Sequence, residues 1–213
     1  MARDDWFRRT TWTSQDQTEF YARLARSRTA FHRAQYARIQ ALTLFDAGGE
    51  PLVRAALGIL ERIFKEYPET SQLESAHLQA AQCHDELGDI AAAIRHFRLA
   101  IEAHAHSPNF HSGVNLDFPW FIVKHGLTAH FDEALSVVQN AHLAFPIQQF
   151  KAATVRSRIA LSRDDEPKAR RFAHEALQAA RATKSQFRHH QSLGLVGERY
   201  SHIVRELEEI AAP

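Results

Sequence analysis

Along most of this chain apolar residues recur three and four apart, the spacing of a helix that buries one face. The stretch GDIAAAIRHFRLAI (88–101) places Ala93 and Ala100 seven residues apart with Phe97 between them. The same arrangement of small and large residues returns three times. GGEPLVRAALGILERIFKEYP (48–68) carries Ala56, Leu57, Leu60, Ile63 and Pro68. HFDEALSVVQNAHLAFP (130–146) carries Ala134, Leu135, Val138, Ala141 and Pro146, and DDEPKARRFAHEALQAA (164–180) carries Ala169, Ala173, Ala176 and Leu177. The lead alanines Ala56, Ala93, Ala134 and Ala169 stand 37, 41 and 35 residues apart. A period of that length with helical spacing inside each unit predicts a helix–turn–helix solenoid.

Each of these helices has a predicted partner before it, over 35–45, 72–87, 118–127 and 150–162, joined by short breaks such as AGG, GD, TAHFD and RDDEP. Asp89 and Asp165 stand where N-caps are needed. Pro51 and Pro167 fall in first turns, where the missing N–H costs nothing, and Pro68 and Pro146 are expected just past helix ends. In a stacked helix pair, alanine lets the neighbouring backbone approach to about the 8–10 Å of close interaxial packing, and the large residue between two alanines fills the hole beside it. Small and large residues therefore share one face.

The stretch HLQAAQCHDELGDIAAAIRHFRLAIEA (77–103) resembles the tetratricopeptide repeat family, with Ala81, Gly88, Asp89, Ala93, Phe97 and Ala100 in the family's small, turn and aromatic positions. The third unit matches through Ala134, Leu135, Ala141 and Pro146 and the fourth through Ala169 and Ala176. The first helices lack the family's usual Trp/Leu/Gly set, having His77 and Ala80 in the second unit. The outer stretches DDWFRRTTW and RHHQSLGLV resemble those of bacterial repeat proteins. The expected fold is an all-α, TPR-like α-solenoid of antiparallel helix pairs, with about four units over 35–180. An N-terminal aromatic arm and capping helix (1–34) and a C-terminal link and capping helix (181–213) close its ends. Ser14 with Gln17 predicts a capping box for a helix over 15–27. A last helix over about 198–211 gathers Tyr200, Ile203, Val204, Leu207 and Ile210 on one side.

Composition agrees with this picture: 45% apolar and 24% charged residues, with only 8 Gly and 7 Pro. The start MARDDWFRRT lacks the apolar region of a secretory signal, no apolar run reaches the ~18 residues of a membrane span, and the single Cys83 suits a reducing compartment. A cytoplasmic location is the expectation, and 21 Arg against 5 Lys hints at a GC-rich, bacterial genome. The net charge of +1 conceals blocks: eight basic against four acidic residues over 1–40, three against nine over 41–90, and ten against four over 151–188. Such blocks are solvated helix faces in the ordinary case, and separated along a solenoid they also steer a polar partner.

Candidate chemistry is sparse. His104, His106 and His111 lie in the longest irregular stretch and offer three imidazoles for zinc, but no cysteine or carboxylate stands at a helpful spacing. Helix-end pairing of His104 and His106 with carbonyls is the simpler reading, with Asn109 and Ser112 serving turns. His77 and His84 read as buried, hydrogen-bonded imidazoles, and Cys83 as a small core residue; neighbouring residues on a helix point about 100° apart, so Cys83 and His84 do not face each other. LGLVG (193–197) lacks the spacing of a phosphate loop and reads as a flexible link, with RHH (188–190) before it. Trp6, Phe7 and Trp12 either fold back on the first repeat or form a sticky arm for a partner or a second copy of the chain.

The family resemblance implies that the first helix of each pair lines the concave face. Gln82, Asp85 and Glu86 of the second unit and Lys151, Thr154 and Arg158 of the fourth become the candidate partner-binding residues; the third unit, apolar at Leu116 and Val123, adds little. The expected role is a non-enzymatic adaptor or scaffold binding a protein or peptide, with no cofactor and no metal. A stoichiometric inhibitor such as an immunity protein against a toxin is the alternative, since segregated charge suits electrostatic pairing. Nucleic acid bound by 151–188 is a third reading, weakened by interleaved acids and the lack of a stacking platform.

Overall fold

The computed structural model describes residues 5–106, 113–187 and 190–212. Among these the chain is all-α, its ten α-helices packing mostly as sequential antiparallel pairs. They form two compact units, Met1–Val114 and Asn115–Pro213. The helices are α1 (Ser14–Ala25), α2 (Ala30–Ala47), α3 (Glu50–Glu66), α4 (Leu73–Glu86), α5 (Ile90–His106), α6 (Val114–Lys124), α7 (Phe131–Gln139), α8 (Pro146–Ser162), α9 (Glu166–Ala180) and α10 (Ser201–Ala211). No helix among the described residues is long and apolar enough to cross a membrane.

In the first unit α2 pairs with α3 and α4 with α5. The α2–α3 connection is a tight one, with Gly48 and Gly49 at φ 77° and 85°, a region closed to most side chains. α3 buries Val53, Ala56, Ile59, Leu60 and Ile63 and turns Arg54, Glu61 and Arg62 outward, one apolar stripe on a wet helix. α4 is enclosed on more of its circumference, with Ala76, Leu78, Ala80, Ala81 and Cys83 all buried. The Asp89 carboxylate accepts the backbone N–H of Ala92 and starts α5, as its sequence position requires. Ala93 and Ala100 are wholly buried and Phe97 lies between them at 3% exposure, so the small-large alternation does occupy one packed face. Ala56, Ala134 and Ala169 are equally buried.

The N-terminal segment folds back rather than projecting as an arm. Trp6 lies 5.6 Å and Trp12 5.4 Å from the Phe20 ring, and Phe7 lies 4.7 Å from Tyr36. Gln40, wholly buried on α2, accepts the backbone N–H of Arg9 at 2.9 Å and donates to its carbonyl at 2.7 Å, while the Arg9 guanidinium grips Asp16 and Glu19. The capping box differs from the Ser14–Gln17 expectation. Thr13 is the N-cap, its hydroxyl accepting from the Asp16 N–H, and the Asp16 carboxylate accepts from the Thr13 N–H and from the Thr11 and Thr13 hydroxyls. These donors hold the Asp16 carboxyl well below the usual carboxylate range. A charged acceptor at the third helical position wins over the neutral Gln17 one residue on.

In the second unit α8 packs on α9 and α9 on α10. Pro51 and Pro167 do lie in first turns, and the Asp165 carboxylate caps α9 through the Lys168 N–H. Pro146 departs from expectation: α7 ends seven residues earlier at Gln139, and Pro146 opens α8. Proline with φ set for helix and no N–H to place is as suited to the start of one helix as to the stop after another. α6 starts at Val114 rather than at the expected 118, and Pro119 lies inside it. The third predicted pair is thus the irregular one, with helices of eleven and nine residues. The 193–197 stretch is docked rather than loose. Gly194 accepts the Ile147 N–H at 3.0 Å, and a Cβ on it would stand 3.1 Å from the Phe145 ring. α10 and the turn before it close the unit, with Tyr200 of the turn and Ile203 and Leu207 of the helix buried.

Candidate functional site

On α8 the residues 151, 154 and 158 share one stripe, three and four apart. Lys151 and Arg158 sit at its ends, half-buried, each held by a carboxylate two helices away in sequence. Lys151 Nζ donates to Asp117 Oδ1 of α6 at 2.9 Å, and Arg158 donates through Nε and Nη2 to both oxygens of Glu206 on α10, at 2.8 and 2.6 Å. Between the two cations stands the half-buried indole of Trp120, with Lys151 Nζ 5.7 Å and Arg158 Cζ 5.9 Å from its ring centroid. Tyr200 meets Trp120 edge-on at 5.7 Å and 90°. The arrangement places a half-buried aromatic ring beside two cations, each paired with a carboxylate. Trp120 was not picked out in the sequence, where it sits in an apolar run; only its place beside the α8 stripe gives it a second character.

Thr154, grouped with these residues from the sequence, offers no surface. It is wholly buried and its hydroxyl donates to the Phe150 carbonyl at 2.8 Å, the back-bonding of a helical threonine.

Gln82, Asp85 and Glu86 lie on the last turns of α4 in the first unit, so the six candidates divide three and three between the two units. Gln82 and Asp85 are half-buried and Glu86 is exposed. Gln79 of α4 and Gln72, the residue before its first turn, share a polar contact that spacing alone does not reveal. Arg38 of α2 donates from Nε to the Gln72 Oε1 at 2.9 Å, and the Gln79 amide, oriented to satisfy both its groups, accepts from Arg38 Nη1 at 3.0 Å and donates to the Arg38 carbonyl at 3.3 Å. These partners are neutral amides, and burial lowers the pKa of the guanidinium. In both units, then, side-chain polar pairs tie together helices that are second neighbours in sequence: α2 to α4, α6 to α8, and α8 to α10.

Cys83 is 1% exposed, and burial pushes its thiol up to about 12, the state of an inert core residue. His104 Nδ1 lies 3.0 Å from Oε1 of the buried Glu74, and His106 Nδ1 meets the Glu102 carbonyl at 2.8 Å, so the two imidazoles turn to different partners. His111, Asn109, Ser112, Arg188 and His189 lie outside the described residues. Among the described residues no group of three or more His, Cys, Asp or Glu is arranged to hold a metal ion. Six cations of the basic run have carboxylate partners among the described residues: beside the two α8 cations, Arg163 pairs with Asp132, Lys168 with Asp165, Arg170 with Glu166 and Arg171 with Glu175.

Comparisons with protein-family models, with curated proteins and with solved structures find no match to this chain.

Proposed function

We propose that this chain is a TPR-like helical-repeat protein that binds a partner protein or peptide, without catalysis, through the faces built by its second-neighbour helices. The observation that carries the reading is Trp120 set between Lys151 and Arg158. Tryptophan and arginine are the side chains that most often carry binding energy at interfaces. Here both are half-buried, so little conformational entropy remains to be lost on contact. A carboxylate of the partner takes over from Asp117 or Glu206, and its neighbouring apolar group covers the indole. The acidic end of α4, with Gln82, Asp85 and Glu86, supplies a second contact of opposite sign. The pairing of cations with carboxylates along 151–188 favours this reading over nucleic acid, because a paired cation releases fewer counterions on meeting a phosphate. An adaptor and a stoichiometric inhibitor use such a face alike, and the identity of the partner distinguishes them.

The test is charge reversal in two arms, Lys151→Glu with Arg158→Glu, and Asp85→Arg with Glu86→Arg, against a partner recovered from the native host and purified. The first arm is expected to weaken binding by about tenfold or more at unchanged helical content. Unchanged affinity in that arm overturns the reading.

A further inference from the structure

Three imidazoles gather between α4 and α5 with no part in the proposed binding face. His77 and His84 are seven residues apart on α4 and so share a side; His96 reaches them from α5. His77 Nδ1 and His96 Nδ1 are 3.1 Å apart. The His84 ring stacks on His96 at 5.2 Å and 18°, and His77 stacks on Phe64 of α3 at 4.1 Å and 11°. Two ring nitrogens at that distance are bonded only if one is N–H and the other a bare lone pair. A single added proton keeps this bond, since one imidazolium can donate to one neutral ring. A second proton makes both atoms donors, and the contact becomes repulsive.

We propose that the His77–His84–His96 cluster is an acid-sensitive latch between α4 and α5, closed while the two Nδ1 atoms share a hydrogen and released when both carry one. The charges around it do little to relieve the repulsion. Glu61 of α3 and Asp89 of the α4–α5 turn favour protonation of His84, Arg95 of α5 opposes it, and Arg95 and both other imidazoles oppose protonation of His96. Asp89 Oδ2 lies 3.7 Å from His84 Nδ1, beyond hydrogen-bond reach, and that nitrogen has no hydrogen-bond partner among the described residues. Burial depresses His77 and His96 to about 4, and burial is also the main cause of the lowered value for His84. The folded-state values lie below the ordinary 6.5, so the latch stabilises the fold fully above pH 6.5 and loses its contribution as pH falls towards 4. The three rings titrate as one coupled set, the later protons being the costly ones.

Amide hydrogen exchange on the intact chain, corrected for intrinsic rates, tests this between pH 7 and 5. Residues 73–106 are expected to lose at least about tenfold in protection, while α8 and α9 change by far less. His96→Phe keeps a ring in the stack but cannot titrate, and should make that difference clearly smaller, His77 and His84 keeping the rest. His77→Asn, which keeps a donor and an acceptor facing His96, is the second variant should the first fold poorly. The histidine ring resonances of His77 and His96 should titrate below pH 5. Protection that does not fall in the wild type, a fall of the same size in both variants, or ring resonances titrating near 6.5 overturns the proposal.

Discussion

Arg158 on α8 and Glu206 on α10 meet in a two-pronged ion pair, 48 residues apart in sequence, that spans the helix lying between them in the chain. The fork of the guanidinium matches both carboxylate oxygens, a geometry that fixes direction as well as distance. Both groups keep some contact with water, with side-chain exposures of 21% and 38%, so most of their Coulomb energy is screened. In a double-mutant cycle with Arg158→Ala and Glu206→Ala, read by chemical denaturation, the coupling should be about 1 kcal/mol. It should shrink on raising salt. A coupling near zero would mean that the α8–α10 relation rests on apolar packing alone.

The close packing of helices through alanine makes a sharper demand. Ala93 is wholly buried, whereas Ala91, two residues earlier on the same helix, is exposed. Ala93→Leu should destabilise by about 1–3 kcal/mol through overpacking, and Ala91→Leu should stay within about 0.5 kcal/mol of wild type. Equal effects at the two positions would show that α5 packs on a different face.

Gln40 anchors the N-terminal segment with one amide, satisfying the N–H and the carbonyl of Arg9 from inside the core. Gln40→Leu removes both bonds and leaves Arg9's backbone polar groups facing an apolar side chain. The expected cost is about 2–4 kcal/mol, from leaving two polar groups unsatisfied. Tryptic cleavage after Arg8 and Arg9 should accelerate accordingly. Unaltered proteolysis would show that Trp6, Phe7 and Trp12 hold the segment without help.

The helix pairs, the buried alanines and the caps at Asp89 and Asp165 follow from local rules, because periodicity and capping depend on residues within a turn of each other. Element limits at Pro119 and Pro146 do not, since a proline is compatible with either side of a boundary and tertiary packing decides. Thr154 departs from its expected place for a related reason: a threonine that bonds its own helix backbone is as comfortable inside as outside. Trp120 was missed because its significance lies in Lys151 and Arg158, 31 and 38 residues further along the chain. The meeting of His96 with His77 and His84 likewise needs two helices to be docked before it exists.

The most direct test of the binding face is site-specific photo-crosslinking in cells of the native host. A crosslinking side chain placed at Lys151, beside Trp120, should yield one discrete adduct that disappears when Arg158→Glu and Trp120→Ala are added. The same side chain at Glu175, on the exposed side of α9, should yield none. An adduct that forms from Glu175 and not from Lys151 would contradict the account.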